Sequence, residues 1–204
     1  MNKKKILILF VIIIVILLII FFSIYYYKTL KNGNNMINKS EEEIIDYILN
    51  IKSYTARMDI TIQTNKNETK YVVNQNVDGN ISRQEILEPI NIAGVITEYD
   101  GTNLKITNNK LDLSTTFQNY QYMVENRLWL NSFIEEYKNS KNSKSSVNEN
   151  NEIILEVENN DEKYNVFKKL YIDKNNAKPT KLIIQDINQK TLVYILYKEI
   201  ELSK

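Results

Sequence analysis

The chain has no cysteine and no histidine, and only two prolines, four glycines and one tryptophan in 204 residues. Without cysteine there are no disulfides, no thiolate metal sites and no lipid-bearing cysteine near the N-terminus. Without histidine the commonest general base and the commonest metal ligand are missing, which excludes Ser/His/Asp and Cys/His catalysis. A carboxylate pair of the kind that hydrolyses glycans needs only two acidic residues on facing positions, but nothing selects such a pair here. The expectation is a non-enzymatic protein with no cofactor and no bound metal. Charge of one sign is also lacking. Thr29 to Lys204 carries 22 basic and 25 acidic residues, net −3, with the signs interspersed. Such a surface offers no basic patch for phosphate, which argues against nucleic acid as a partner.

One long apolar run is present. Ile6 to Tyr27 contains no charge, and at 1.5 Å per residue it reaches roughly 33 Å, enough for a bilayer core of about 30 Å. A secretory signal has a shorter apolar core, about 7–15 residues, followed by small residues at a cleavage site. Here the run ends in Phe21, Phe22 and Tyr25 to Tyr27. Residues 1–28 therefore read as an uncleaved membrane anchor bounded by Ile6 and Tyr27. The three tyrosines suit an interfacial aromatic belt. Lys3, Lys4 and Lys5 on one side nearly balance Lys28, Lys31 and Lys39 on the other. The short tail favours a cytoplasmic N-terminus in a single-pass cell-membrane protein, with the C-terminal domain outside the cytoplasm.

Residues 29–39 have the turn and linker chemistry of a tether, and 40–204 reads as one domain. Ser40 and Glu43 form a capping box ahead of a predicted helix over Glu41 to Lys52, whose Ile44, Ile45, Ile48 and Ile51 make one apolar stripe. The acidic triplet Glu41, Glu42, Glu43 suits the cap and the helix dipole better than a metal. From Tyr54 the period changes to two, and Ala56, Met58, Ile60 and Ile62 alternate with polar residues. A meander follows: Thr69 to Val77, a turn at Asp78-Gly79-Asn80, Ile81 to Glu88, Gly94 to Tyr99, Thr102 to Asn108 and Leu111 to Thr116, with Asp100-Gly101 as a hairpin signal. Phe117 to Lys138 suggests helical turns holding Trp129 and Phe133 against the sheet. Residues 138–151, polar and of low complexity, are expected to form a mobile loop. Strands resume at Glu152 to Glu158, Tyr164 to Asp173, Thr180 to Asp186 and Thr191 to Glu201. The predicted fold class is mainly β (α+β): a curled antiparallel half-barrel of about ten strands covered by two helical segments.

Three segments carry a family pattern: Ser82 to Pro89, the Gly94 to Leu104 run with Tyr99-Asp100-Gly101, and Leu170 to Leu202 with Lys178-Pro179-Thr180-Lys181. In this order and spacing the chain resembles the LolA-like lipoprotein-carrier superfamily, and within it the clostridial germination lipoprotein GerS and its relatives. The resemblance covers roughly Ser40 to Leu202. It implies a half-barrel closed by helices on its concave side and a non-enzymatic role: carriers hold lipoproteins, RseB-like relatives sense them, and GerS works with a cortex amidase. The chain departs from GerS in lacking the lipidated cysteine, for which the apolar N-terminal run would substitute. A fixed anchor argues against shuttling between membranes. Two readings stay open. In one, an anchored accessory protein engages a cell-envelope protein, with a cortex amidase as the partner the resemblance implies. In the other, a lipid or acyl chain enters an apolar cavity lined by Met58, Ile60, Ile62, Tyr71 and Val73, with Trp129 and Phe133 beneath the lid. Alternating apolar faces also describe an ordinary filled core.

Overall fold

A computed structural model describes residues 39–120, 128–159 and 166–204. The apolar run from Ile6 to Tyr27 and nearly all of the tether lie outside the described residues, within which no helix is long and apolar enough to cross a membrane. Glu41–Lys204 forms a unit of its own.

The described residues open with α1 (Glu41–Leu49), which buries Ile44 and Ile48 completely and leaves Ile45 half-buried, as is Ile51 just beyond its end. The helix stops three residues short of its predicted end because the backbone is already wanted elsewhere. Asn50 turns its side-chain amide back onto the Asp46 carbonyl at 2.9 Å, and Lys52 donates to the Ser203 carbonyl at 3.0 Å, joining the sheet. Six strands then run as a meander: β1 (Ser53–Gln63), β2 (Glu68–Asp78), β3 (Ile81–Glu88), β4 (Val95–Tyr99), β5 (Leu104–Asn108) and β6 (Leu113–Phe117). Helix α2 (Leu130–Asn139) follows, and then β7 (Lys144–Val147), β8 (Glu152–Asn159), β9 (Val166–Asp173), β10 (Lys178–Asp186) and β11 (Thr191–Ser203).

All eleven strands belong to one antiparallel sheet in the order β6-β5-β4-β3-β2-β1-β11-β10-β9-β8-β7. The first meander runs outward from β1 to one edge. The chain then crosses to the opposite edge, and the second meander runs back until β11 lies against β1. The crossing segment carries α2, so the helix is placed on the face that both meanders bury. Register fixes that face. Tyr54, Ala56, Met58 and Ile60 of β1 lie opposite Val77, Gln75, Val73 and Tyr71 of β2, and Leu170 of β9 lies between Leu155 of β8 and Leu182 of β10. Bulges interrupt the ladder at Arg57/Met58 and, beside Pro179, at Pro179/Lys181, where a proline without an N–H is tolerated.

Three expectations change. Among the described residues the sheet has eleven strands, one more than the ten expected, because residues 138–151 are not wholly loop: Lys144–Val147 pairs with Ile153 to Glu156. All four residues of β7 are exposed, and an edge strand with neither face packed needs no apolar alternation to form, so its pattern was silent. Of the helical stretch expected within Phe117 to Lys138, the described part is α2, Phe117 still belongs to β6, and residues 121–127 lie outside the described residues. Finally, Asp100-Gly101 does not close a two-residue hairpin. The loop runs through Asn103, with the Asp100 carboxylate accepting from the Thr102 and Asn103 amides at 2.9 and 2.6 Å. Those bonds to its charged form hold the Asp100 carboxyl below its ordinary range, Asn103's amide contributing most.

Candidate functional site

The turn between β2 and β3 holds Gly79 at φ +56°, and the β4–β5 loop holds Gly101 at φ +93°. Both are left-handed conformations that a glycine adopts without a Cβ penalty. A Cβ on Gly101 would come within 3.5 Å of the Asn80 side chain, so the two turns sit side by side. Against them lies the start of α2. Between the turns and the helix is a cleft of about 280 Å³ lined by Gly79, Asn80, Ser82, Tyr99, Gly101, Trp129, Asn131, Ser132 and Glu135.

A buried polar web ties the head of α2 to the sheet below the cleft. The Tyr54 hydroxyl donates to Gln75 Oε1 at 2.9 Å and accepts from the Leu130 amide at 3.3 Å. Gln75 Nε2 in turn donates to Gln84 Oε1 at 2.8 Å and to the Leu128 carbonyl at 3.4 Å. Burial pushes the Tyr54 hydroxyl well above its ordinary pKa, with Tyr197 adding to the shift and the Leu130 amide opposing it. Tyr197 is raised too, by burial alone, and its hydroxyl has no hydrogen-bond partner. At the cleft itself Trp129 Nε1 and Asn131 Oδ1 are buried without a hydrogen-bond partner. Each such group costs about 1–3 kcal/mol until something pairs with it. Trp129 is the N-cap residue of α2 and supplies no side-chain cap.

Farther along α2, Glu136 Oε1 accepts a hydrogen bond from Lys168 Nζ, and the lysine side chain is 1% exposed against 22% for the glutamate. A cation this deep is held only by its partners. Sequence reading missed this pair, although a signal existed. In β9 the buried set is Val166, Lys168, Leu170 and Ile172, so the alternation itself places Lys168 on the apolar face. Gln75 between Val73 and Val77 carries the same signal in β2.

The seven residues expected around an apolar cavity fall into two groups. Met58, Ile60, Val73, Trp129 and Phe133 are at most 2% exposed, whereas Ile62 and Tyr71 are half-buried. Register brings Met58 opposite Val73 and Ile60 opposite Tyr71. Trp129 and Phe133 sit on the first turns of α2, where Phe133 stacks on Tyr137 at 6.1 Å. Of the seven, only Trp129 lines the cleft. No group of three or more acidic side chains among the described residues is placed to hold a metal ion.

Residues 3–204 match the family described as "Sporulation protein YdcC-like". The chain belongs to the YdcC-like sporulation family. Among solved structures, the GerS lipoprotein in its complex with the CwlD amidase of Clostridioides difficile is 20% identical, with 80% of this chain and 96% of that chain covered and a TM-score of 0.51. An uncharacterized conserved protein of Thermus thermophilus is 12% identical over 81% of this chain and 89% of its own, with a TM-score of 0.50. A LolA superfamily protein of Nitrosomonas europaea aligns more loosely, at 14% identity over 81% and 94% of the two chains, with a TM-score of 0.41. No curated protein sequence matches the chain. The fold of this YdcC-like protein is thus shared with GerS and with the Thermus thermophilus protein.

Proposed function

We propose that this YdcC-like protein is a non-enzymatic accessory protein of the cell envelope, held in the cell membrane by Ile6 to Tyr27 with its N-terminus cytoplasmic. Its outer domain engages an envelope protein, and the class of partner it fits is a hydrolase that processes cortex or peptidoglycan. The observation that carries this reading is the shared fold with GerS, a lipoprotein solved bound to an amidase, in a chain of a sporulation family. The absence of histidine and cysteine from the sequence supports a binding role over a catalytic one.

The cleft at the head of α2 is the place on the outer domain best suited to such a contact. It is concave and edged by two tight turns, and the ring of Trp129 lies buried in its wall beside Asn131. A lipid-binding role draws less support, since five of the seven residues proposed to line an acyl cavity are packed into the interior and the cleft is no larger than small-ligand pockets at the lower end of their range.

Crosslinking of the full chain in its own membrane, followed by capture and mass spectrometry, tests the proposal. The expected result is one envelope hydrolase recovered reproducibly, and reduced recovery with Trp129→Phe, which keeps an aromatic ring and removes the N–H. Recovery of no envelope protein at native expression, or of lipid alone, would sink it.

A further inference from the structure

The two edges of the sheet are built differently. β7 is four residues long and begins with Lys144, and a short edge carrying a charge is protected against pairing with another chain. β6 is Leu-Ser-Thr-Thr-Phe, Leu113–Phe117, with no charge, no proline and no glycine, and all five of its residues are exposed. Its inner side is paired to β5, Ile106 lying opposite Thr115. Among the described residues no strand pairs with its outer side, which is flanked by two large apolar side chains, Leu113 at 60% exposure and Phe117 at 45%.

The pattern of β6 is self-complementary. Apolar residues stand at both ends and hydroxyl residues fill the middle, so reading it backwards gives the same order of chemistry. An antiparallel copy centred on Thr115 sets Leu113 opposite the copy's Phe117, Ser114 opposite Thr116, and Thr115 opposite itself. The two-fold axis makes each apolar pair twice, and no like charges meet within the strand. Cross-strand pairs of an aromatic with an aliphatic residue, and of hydroxyl residues with each other, are the favourable ones. A two-fold interface requires this kind of self-matching surface.

We propose that β6 is an isologous docking edge, on which a second copy of this chain pairs antiparallel about Thr115 and continues the sheet across the two-fold axis. A five-residue edge buries less than the roughly 1,200 Å² of a permanent interface, so the pairing is reversible and concentration-dependent. This goes beyond the accessory reading and uses a different surface from the cleft.

The cysteine-free sequence makes the test clean. In the full chain, Thr115→Cys should form a disulfide-linked dimer on mild oxidation at least tenfold faster than Ser146→Cys, which places the same thiol on the exposed β7 edge. Thr115→Lys, setting a lysine opposite its own copy, should remain monomeric by sedimentation at concentrations where the unaltered chain associates. Circular dichroism of each variant establishes that it is folded; both positions are exposed. Equal crosslinking rates at the two edges, an unaltered chain that is monomeric at every concentration, or a Thr115→Cys thiol that captures a different protein and never its own copy would each overturn the proposal. None of these outcomes bears on recovery of an envelope hydrolase, so the two ideas fail separately.

Discussion

The two wings of the sheet have the same connectivity and opposite interiors. In the wing formed by β8, β9 and β10, every second residue is removed from water: Ile153, Leu155 and Val157, then Val166, Lys168, Leu170 and Ile172, then Leu182 and Ile184. In the wing formed by β4, β5 and β6, burial shrinks to Ile96 and Leu104 and then to nothing. The helices account for the difference. α2 packs against β8 and α1 and bonds by its head to Tyr54 and Gln75 of β1 and β2, so the outer strands of the first meander are less covered. A sheet has stability only where something covers it. One wing is therefore a core, and the other is a surface held in place by backbone pairing.

The largest test of this contrast is the ion pair under α2. Glu136→Ala removes the carboxylate that accepts from the buried Lys168, and should cost about 3–5 kcal/mol, read as a lowered urea midpoint. If Lys168 were only a spectator, the loss would be below about 1 kcal/mol. Next in size is a matched pair of truncations. Leu170→Ala, in a fully buried site, should cost about 3 kcal/mol, whereas Leu113→Ala on the exposed wing should stay within about 0.5 kcal/mol. Equal costs at the two positions would remove the distinction between the wings.

Most of the sheet was legible beforehand on both wings: β1 to β6 and β8 to β11 lie within two residues or so of their predicted bounds, the covered strands because a buried face imposes a period of two and β4 to β6 because turn residues bound them. β7 gave no such signal, since an exposed edge imposes no period. The Asp100 loop looked like a two-residue hairpin because Asp-Gly is a local signal, yet the side-chain bonds from Asp100 to Thr102 and Asn103 favour a longer turn. For the site, Trp129 was singled out for its place near a helix. Its neighbours at the cleft, Asn80, Tyr99 and Asn131, come from three separate segments that only the topology brings together. A single sequence carries no mark of such a meeting.

Where the two wings join, β1 and β11 carry a pair of buried tyrosines that differ in one respect. The Tyr54 hydroxyl is bonded to Gln75 and to Leu130, and Tyr54→Phe strands both partners, at a cost of about 1–3 kcal/mol in the denaturation midpoint. A Tyr54→Phe protein as stable as the parent would show that the polar web does not secure the head of α2.

Tyr197→Phe should have the smallest effect and an informative sign. Its hydroxyl is buried without a partner, so removing it at neutral pH should leave stability unchanged or raise it by up to about 1 kcal/mol. Alkaline pH separates the two proteins further. Burial raises the folded pKa of Tyr197 above that of the unfolded chain, which is about 10 for an ordinary tyrosine. The stability tied to that difference is fully present below the unfolded value and is lost as pH rises through the folded one. Above about pH 10 the parent should therefore lose stability faster than Tyr197→Phe, by up to about 1.4 kcal/mol per pH unit for the one proton concerned. Urea midpoints of the two proteins at pH 8 and pH 11 measure this directly, since every other titrating group is common to both. A variant destabilised at pH 8, or a gap that does not widen at pH 11, would mean that the hydroxyl is paired and that the seam between the wings is as fully satisfied at Tyr197 as it is at Tyr54.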